Sequence, residues 1–460
     1  MEENQKSTGI DVLENLFRQD KTQELVELLD EMPQVEVAEF LEGKEFEDVF
    51  NFLQRMSPIE RGQLFGYFNE DSQLNYSRLM DKSSFSVIFE HMASDTRADL
   101  YQEFTEDEQN ELIPYLSKLV REDVISLSSH APETAGAIMT TDFATIVNDM
   151  NVEQAIEKIR SDAPTRNMVY YIYVVDQRMV MTGFLTLKDI VLAKKNQKID
   201  ELVNEVFIYA DVHEDQESVT QKIIRYDLVA IPVLNSINQL VGIVRHDDAM
   251  EIIQFEQTED IEKMMGIVPS AEDESYLEIS TWNHYKRRVP WLLSLALMGL
   301  ISGVIINRFH SILEQFIILA VYMPLMASTG GNSGSQAAAV IIRAFALSEI
   351  QDQEWFKVIF KEIKIPFLLS LSVALLIHLQ ILSFPFSRAS GERLSLINIA
   401  SIISLAITCQ VISATSLGAA LPIIVRKFGG DPAIVASPAI TTIVDITGIL
   451  IYFAIANIFL

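Results

Sequence analysis

Residues 421–452 read LPIIVRKFGGDPAIVASPAITTIVDITGILIY. Two apolar runs flank a short break at FGGDP, and the second run, 432–460, holds one carboxylate, Asp445, near its middle. A run of this kind crosses a hydrocarbon core, which needs about 20 apolar residues. An Asp at the centre of such a span costs roughly 2.5 to 3.5 kcal/mol on insertion scales, so acids placed there face a bundle interior or an aqueous path. Asp445 therefore reads as an ion-binding residue of a membrane protein. Ser437, Thr441 and Asp445 lie four apart, with Gly448 three further on, and so share one helix face. The structural alternative is an Asp bonded to a hydroxyl of a neighbouring helix.

Working outward, five stretches have no charge except Asp445: 289–307, 315–342, 365–387, 394–425 and 432–460. Each is long enough to span, with tilt or a break in the longer ones. The second contains MPLMASTGGNSGSQAAAVIIRA at 323–344, too rich in small and polar residues for a lipid-facing helix. Pro324 and the pair Gly330 and Gly331 predict a loosened helix, and freed carbonyls are tolerated only under protein or water. Gly330, Gly334 and Ala338, four apart, admit a close neighbouring helix. Packing alone does not need Thr329, Asn332, Ser333, Ser335 and Gln336 crowded into one stretch; these look like lining for a hydrated ion.

The charge is as uneven as the hydropathy. From residue 286 onward, eight acids stand against twelve Lys and Arg, a net of +4, so the first 285 residues carry −33 of the total −29. Acidity of that size argues against nucleic acid and for cations. Lys286, Arg287 and Arg288 precede the first span, Arg343, Lys357, Lys361 and Lys364 lie between the second and third, and Arg426 and Lys427 follow the fourth. The other side has Arg308, Arg388 and Arg393. The basic bias, with an odd number of spans, places the acidic region in the cytoplasm and Leu460 outside a plasma (bacterial inner) membrane. Residues 1–30 hold no apolar signal core, so the N-terminus is expected to stay cytoplasmic. The single cysteine, Cys409, makes no intrachain disulfide and reads as packing.

Residues 11–138 show helical apolar spacing broken by Pro33, Pro58 and acidic turns, with a loose recurrence of LLDEMP, FLQRMSP and IFEHMASD. Short helices stacked as a superhelical array are expected over 1–138. From 139 to 255 a repeat is clear: Asp176, Gly183 and Asp189 recur at one offset as Asn235, Gly242 and Asp248, within YIYVVDQRMVMTGFLTLKDIV (171–191) and VAIPVLNSINQLVGIVRHDDAM (229–250). Each copy reads as strand, polar turn, strand and helix, and the pair resembles tandem cystathionine-β-synthase (CBS) domains. A connecting helix is expected over 256–285 and a five-helix transmembrane domain over 286–460.

The segments STGGNSGSQAAAVIIRA at 328–344 and LPIIVRKFGGDPAIVASPAITTIVDITGILIY are those by which the chain resembles the MgtE family of magnesium transporters, and the resemblance extends over essentially its whole length. It implies a multidomain membrane protein with a superhelical α-helical N domain, a tandem α/β CBS pair and five membrane helices. It implies further a homodimer in the lipid bilayer whose second and fifth spans line a central pore. In that pore Asp445, with Thr441 and Ser437, holds a hydrated Mg²⁺, and Gly330, Gly331, Asn332, Gly334 and Gln336 form the lining. The physics of the ion agrees, since Mg²⁺ dehydrates reluctantly and takes oxygen ligands. Ser437 and Ser335 stand where the family pattern often has Asn, which bears on selectivity. Glu314 matches a position near the external mouth, where a solvated carboxylate is the plain alternative.

By the same resemblance the helix after the second CBS copy acts as a plug that closes the pore from below, and the charge asymmetry leads to the expectation that rising internal Mg²⁺ closes it. Asp247, Asp248, Glu256, Glu259, Asp260 and Asp431 are candidates for the inhibitory sites, each weighed against an ordinary surface acid. CBS pairs often bind an adenine nucleotide through an acid after the second strand; Asp189 follows Thr186 at that spacing, while Arg245 replaces the usual hydroxyl before Asp248. An enzyme is not expected: an aspartyl protease needs a second acid and none lies inside any span. A transporter of Co²⁺ or Ni²⁺ and a CBS-gated sensor without flux stay open, although the oxygen-rich donor set favours Mg²⁺.

Overall fold

The computed structural model describes residues 32–162, 168–205, 208–269, 276, 279–347, 349–350, 355–383, 396–435 and 437–460. Residues 1–31, with the N-terminus assigned above to the cytoplasm, and Arg388 and Arg393 lie outside the described residues. The chain divides into two compact units, Met1–Ile253 and Gln254–Leu460.

The first unit begins with short helices: α1 (Gln34–Glu42), α2 (Phe46–Leu53), α3 (Pro58–Gly66), α4 (Glu70–Leu79), α5 (Lys82–Phe89), α6 (Ser94–Glu103), α7 (Glu106–Leu112) and α8 (Lys118–Leu127). Helices pack on the next but one, α1 on α3, α3 on α5, α5 on α7, α4 on α6 and α6 on α8, which is a two-layered superhelical stack. The unit of repetition is twelve residues. Ser57, Asn69, Asp81 and Thr105 cap successive or alternate helices by accepting from the backbone three residues on, which satisfies donors that helix starts leave unpaired. The residue before each cap position turns inward, as Phe68, Met80, Met92, Phe104 and Leu116. Four residues after the caps, Arg61, Gln73, Arg97, Gln109 and Arg121 donate to carbonyls at the end of the preceding helix, for example Gln73 Nε2 to Phe68 O at 2.7 Å and Gln109 Nε2 to Tyr101 O at 2.8 Å. The recurrence read from Met32, Met56 and Met92 is thus a set of multiples of this shorter unit.

Two three-stranded sheets follow. β1 (Phe143–Val147), α9 (Val152–Asp162), β2 (Met168–Val175), β3 (Met181–Thr186) and α10 (Leu187–Leu192) form one copy. The other comprises β4 (Ala210–Asp211), α11 (Gln216–Tyr226), β5 (Ala230–Leu234), β6 (Leu240–Arg245) and α12 (His246–Met264). In each the first pair is parallel and the second antiparallel, with Ile146 opposite Val174 and Ile172 opposite Leu185 in the first sheet. The expected strand, turn, strand and helix are present in both copies, each preceded by a strand and helix. Asp176 and Asn235 accept from the backbone of Val180 and Gln239 at 2.9 Å, so the two turns are alike. Met181 N donates to Asn238 O and Leu240 N to Met179 O, a reciprocal pair that relates the copies by pseudo-two-fold symmetry. Gly183 is required by close approach: a Cβ there would lie 2.1 Å from Val203 Cγ1 and 2.5 Å from Asn204 O.

The second unit holds long helices: α13 (Thr281–Arg308), the short α14 (His310–Gln315), α15 (Ile317–Ala346), α16 (Trp355–Ser383), α17 (Leu396–Lys427) and, after a 3₁₀ turn at Pro432–Ile434, α18 (Ser437–Phe459). Among the described residues four helices are long and apolar enough to cross a membrane: Thr281–Arg308, Phe356–Ser383, Ile397–Lys427 and Ser437–Phe459. α15 has 30 residues, but its polar run dilutes it below that set. It is also unbroken across Pro324, Gly330 and Gly331. The expected loosening does not occur, because the glycines are buried against neighbouring helices and packing supports the backbone. α17 packs on α15, α16 and α18, and Tyr452 of α18 donates to Leu319 O at 2.9 Å. No residue of α13 is buried within the chain.

Candidate functional site

The polar face expected on the last helix is present. Ser437 opens α18, Thr441 Oγ1 donates back to Ser437 O at 3.0 Å, and Asp445 follows one turn later, half-buried. Asp445 Oδ1 is buried and has no hydrogen-bond partner among the described residues. The alternative of an Asp bonded to a neighbouring hydroxyl is therefore not realised at this oxygen. A buried acceptor left unpaired costs about 1 to 3 kcal/mol; a hydrated cation, whose waters donate, would satisfy it.

α15 lies alongside that face. A Cβ on Gly331 would come 2.8 Å from Thr441 Cγ2, so glycine lets the two helices meet there. Ser335 Oγ lies 3.2 Å from Thr441 Oγ1 and 3.4 Å from Ser437 O, which brings together the two positions where the family pattern often has Asn. Gly330, Gly331 and Gly334 are buried in helix packing, whereas Asn332 and Gln336 lie on an exposed face of α15. The motif thus has one side of close contact and one side of amides. Glu314 is on α14, exposed, with His310 Nδ1 3.7 Å from Oε1.

One residue of this neighbourhood went unread in the sequence. Gln410, in α17, is 1 % exposed and touches both α15 and α18. A lone amide in the apolar run 394–425 was the available signal.

The acids near the end of α12 and at the turn before α18 are already engaged. Lys263 Nζ, near the end of α12, lies 2.7 Å from Glu259 and 2.8 Å from Asp431 at the 3₁₀ turn. Burial lowers the ammonium pKa, but hydrogen bonds to Asp431 and Glu259 outweigh it and hold the group above its ordinary value. Asp260 is pushed up to about 6 by burial, with Asp431 and Glu259 adding to the rise. One ammonium thus serves three carboxylates. Met264 packs with Ala433, Ile440 and Val444, and Glu262 pairs with Arg287. Glu256 lies on the same helix, which runs unbroken from His246 to Met264 across the expected boundary at 255/256.

In the first unit Arg245 binds Asp248 through two bonds of 2.8 and 2.5 Å and stands 3.6 Å from Asp95 and 3.5 Å from Asp247. At the equivalent place in the first copy, Thr186 caps α10 and donates its hydroxyl to Asp189 at 2.7 Å, and Asp189 also accepts from Asn204 at 3.3 Å. Asp189 remains partly exposed, while Asp248 is committed to the guanidinium. Among the described residues no group of three or more His, Cys, Asp or Glu is arranged to hold a metal. Between the two CBS copies is a cavity of about 210 Å³ lined by Tyr171, Tyr173, Phe184, Leu228, Ala230 and Pro232, among others. Tyr173 is 2 % exposed and its hydroxyl has no partner among the described residues.

A helical stack, a CBS pair and a bundle of apolar helices that holds one half-buried carboxylate define a multidomain membrane protein. Family profiles agree along the chain: an MgtE intracellular N domain at 32–133, a CBS domain at 135–196 and MgtE, described as a divalent cation transporter, at 323–455. The magnesium transporter MgtE of Enterococcus faecalis is 31% identical over 338 residues, covering 74% of this chain and 72% of its own. That of Thermus thermophilus is 29% identical over 451 residues, covering 97% and 98%. A crystal structure of the soluble part of a magnesium transporter matches with a TM-score of 0.52 at 28% identity, over 55% of this chain and 99% of that one. The chain belongs to the MgtE family of magnesium transporters.

Proposed function

We propose that the chain is a Mg²⁺-selective, channel-like transporter for magnesium uptake, with a pore at a homodimer interface around Asp445 and gating by intracellular Mg²⁺. The observation that carries this reading is Asp445 itself: a buried, unpartnered carboxylate oxygen on one helix face with Thr441 and Ser437, beside the polar run of α15. A hydrated Mg²⁺ is held by few carboxylates and several neutral oxygens. Two-fold symmetry would bring Asp445 of each copy together, where a dication relieves their repulsion. The exposed amides of Asn332 and Gln336 support a water-filled path or a second copy on that face, since amides are costly against lipid. In this reading α15 is the remaining membrane span.

Gating follows from the acids around Lys263. Glu259, Asp260 and Asp431 outnumber the ammonium, and a divalent ion that binds only the closed arrangement stabilises it by mass action. The cavity between the CBS copies supports an adenine nucleotide as ligand, its base among Tyr171, Tyr173 and Phe184 and its ribose toward Asp189.

The test is growth and Mg²⁺ uptake in cells that lack their own magnesium import, comparing the chain with Asp445→Ala. Rescue by the parent and failure of a well-expressed variant is expected. Equal rescue by both would return Asp445 to a packing role, and rescue by neither would point to another ion or a sensor without flux.

A further inference from the structure

Gln410 sits near the midpoint of α17, almost wholly buried. Its Nε2 donates to the backbone carbonyl of Val444 at 2.9 Å, and its Oε1 has no partner among the described residues. The opposite orientation of the amide would set two oxygens against each other, so the contact itself selects the donor. Two glycines on different helices make room for this group. A Cβ on Gly330 of α15 would lie 2.3 Å from Nε2, and one on Gly448 of α18 would lie 2.2 Å from it. Val444 immediately precedes Asp445, and Gly448 follows it by three residues. The amide therefore grips the turn of α18 that carries the carboxylate.

Apolar packing does not explain this arrangement. A leucine would fill much the same volume without leaving a buried acceptor unpaired, and an unpaired acceptor is destabilising. What the amide supplies is direction. Ile440 and Val444 of α18 pack as apolar side chains, which constrain its turn about its own axis less than hydrogen bonds do; Tyr452 supplies one such bond two turns beyond Asp445, and Gln410 supplies the one at the turn that carries the carboxylate.

We infer that Gln410 is a positioning residue for the cation site, which sets the rotation of α18 and thereby the aim of the Asp445 carboxylate. The inference rests on the reading of Asp445 as the residue that holds the ion.

The test uses the full-length chain reconstituted in liposomes, with Mg²⁺ uptake followed against external Mg²⁺ for the parent, Gln410→Leu and Gly448→Ala. Leucine keeps the bulk and removes the donor; Gly448→Ala keeps the amide and displaces it. Both are expected to raise the half-saturating Mg²⁺ concentration about fivefold, the factor that one neutral hydrogen bond is worth, at equal amounts of folded protein. A merely structural role would lower the maximal flux or the yield and leave half-saturation where it was; unchanged half-saturation in both variants overturns the inference. Should Gln410→Leu not accumulate, Gly448→Ala and Gly330→Ala decide. Asp445→Asn is measured in parallel. If it transports like the parent, the reading of Asp445 falls and takes the inference with it. If it is inactive while Gln410→Leu matches the parent, the role of Gln410 alone is rejected.

Discussion

The Lys263 ammonium donates to the Asp431 carboxylate at 2.8 Å and ties the end of α12 to the turn that precedes α18. The contact joins two segments far apart in sequence, and it sits among acids that are short of positive charge. Lys263→Met removes the ammonium that faces Glu259, Asp260 and Asp431. Hydrogen exchange over residues 254–264 is expected to quicken roughly fivefold without Mg²⁺, in keeping with about 1 kcal/mol for a partly exposed pair, and to slow again when Mg²⁺ is added. No change in Mg²⁺-free exchange would mean that apolar contacts of Met264 hold the helix alone.

Gly418 of α17 approaches α15 so closely that a Cβ would lie 2.1 Å from the Gly334 carbonyl oxygen. Backbone cannot yield as a flexible side chain does, so Gly418→Ala should destabilise the bundle by about 1 to 3 kcal/mol. Gly303→Ala is the control, since nothing lies within 4 Å of its added Cβ. Thermal unfolding in detergent should separate the two; equal midpoints would contradict the close crossing.

Glu108 joins the Arg78 guanidinium at 2.8 Å and completes a capping box with Thr105. The Arg78 hydrogen bond, aided by those from Thr105, holds its carboxyl down at about 2, against an ordinary 4.5. A lowered carboxylate pKa contributes stability above the unfolded value and loses it as pH falls toward the folded one. Glu108→Gln should therefore cost about 1 kcal/mol at neutral pH, the usual worth of a cap. The difference from the parent should shrink between about pH 4.5 and 2. A difference that persisted unchanged at the acid end would assign the effect to packing rather than charge.

Tyr173→Phe deletes a buried hydroxyl that has no partner among the described residues. The ligand-free protein should lose nothing and gain up to about 1 kcal/mol, because an unsatisfied polar group is removed. Thermal stabilisation by adenosine triphosphate should weaken in the variant if the hydroxyl reads the base. Undiminished stabilisation would place the nucleotide elsewhere.

Much of this architecture is legible in the chain. Asp445 stands out among apolar residues because the energy of burying a charge is large whatever the neighbours, and that singles it out as the residue to test. The offset that relates Asp176 to Asn235 announces a duplicated unit, because the same turn must be made twice. The twelve-residue unit of the N domain was legible too, in the polar series Arg61, Gln73, Arg97, Gln109 and Arg121 and the apolar series Phe68, Met80, Met92, Phe104 and Leu116, yet a reading by helical apolar spacing passes over it because each helix also carries apolar residues between those positions.

What the sequence by itself determined is composition along the chain: which segments are apolar enough for a bilayer, where acid accumulates, and which residues repeat. Only the tertiary structure decided which of the polar groups meet. Gln410 and Val444, Lys263 and Asp431, Ser335 and Thr441 are brought together by helix packing, and local spacing carries no information about partners on other helices. The glycines of α15 illustrate the difference. Their spacing promised a close approach, but whether Gly331 admits Thr441 and Gly330 admits Gln410 depends on the rotation of three helices against one another, a property of the packed bundle and of no single segment.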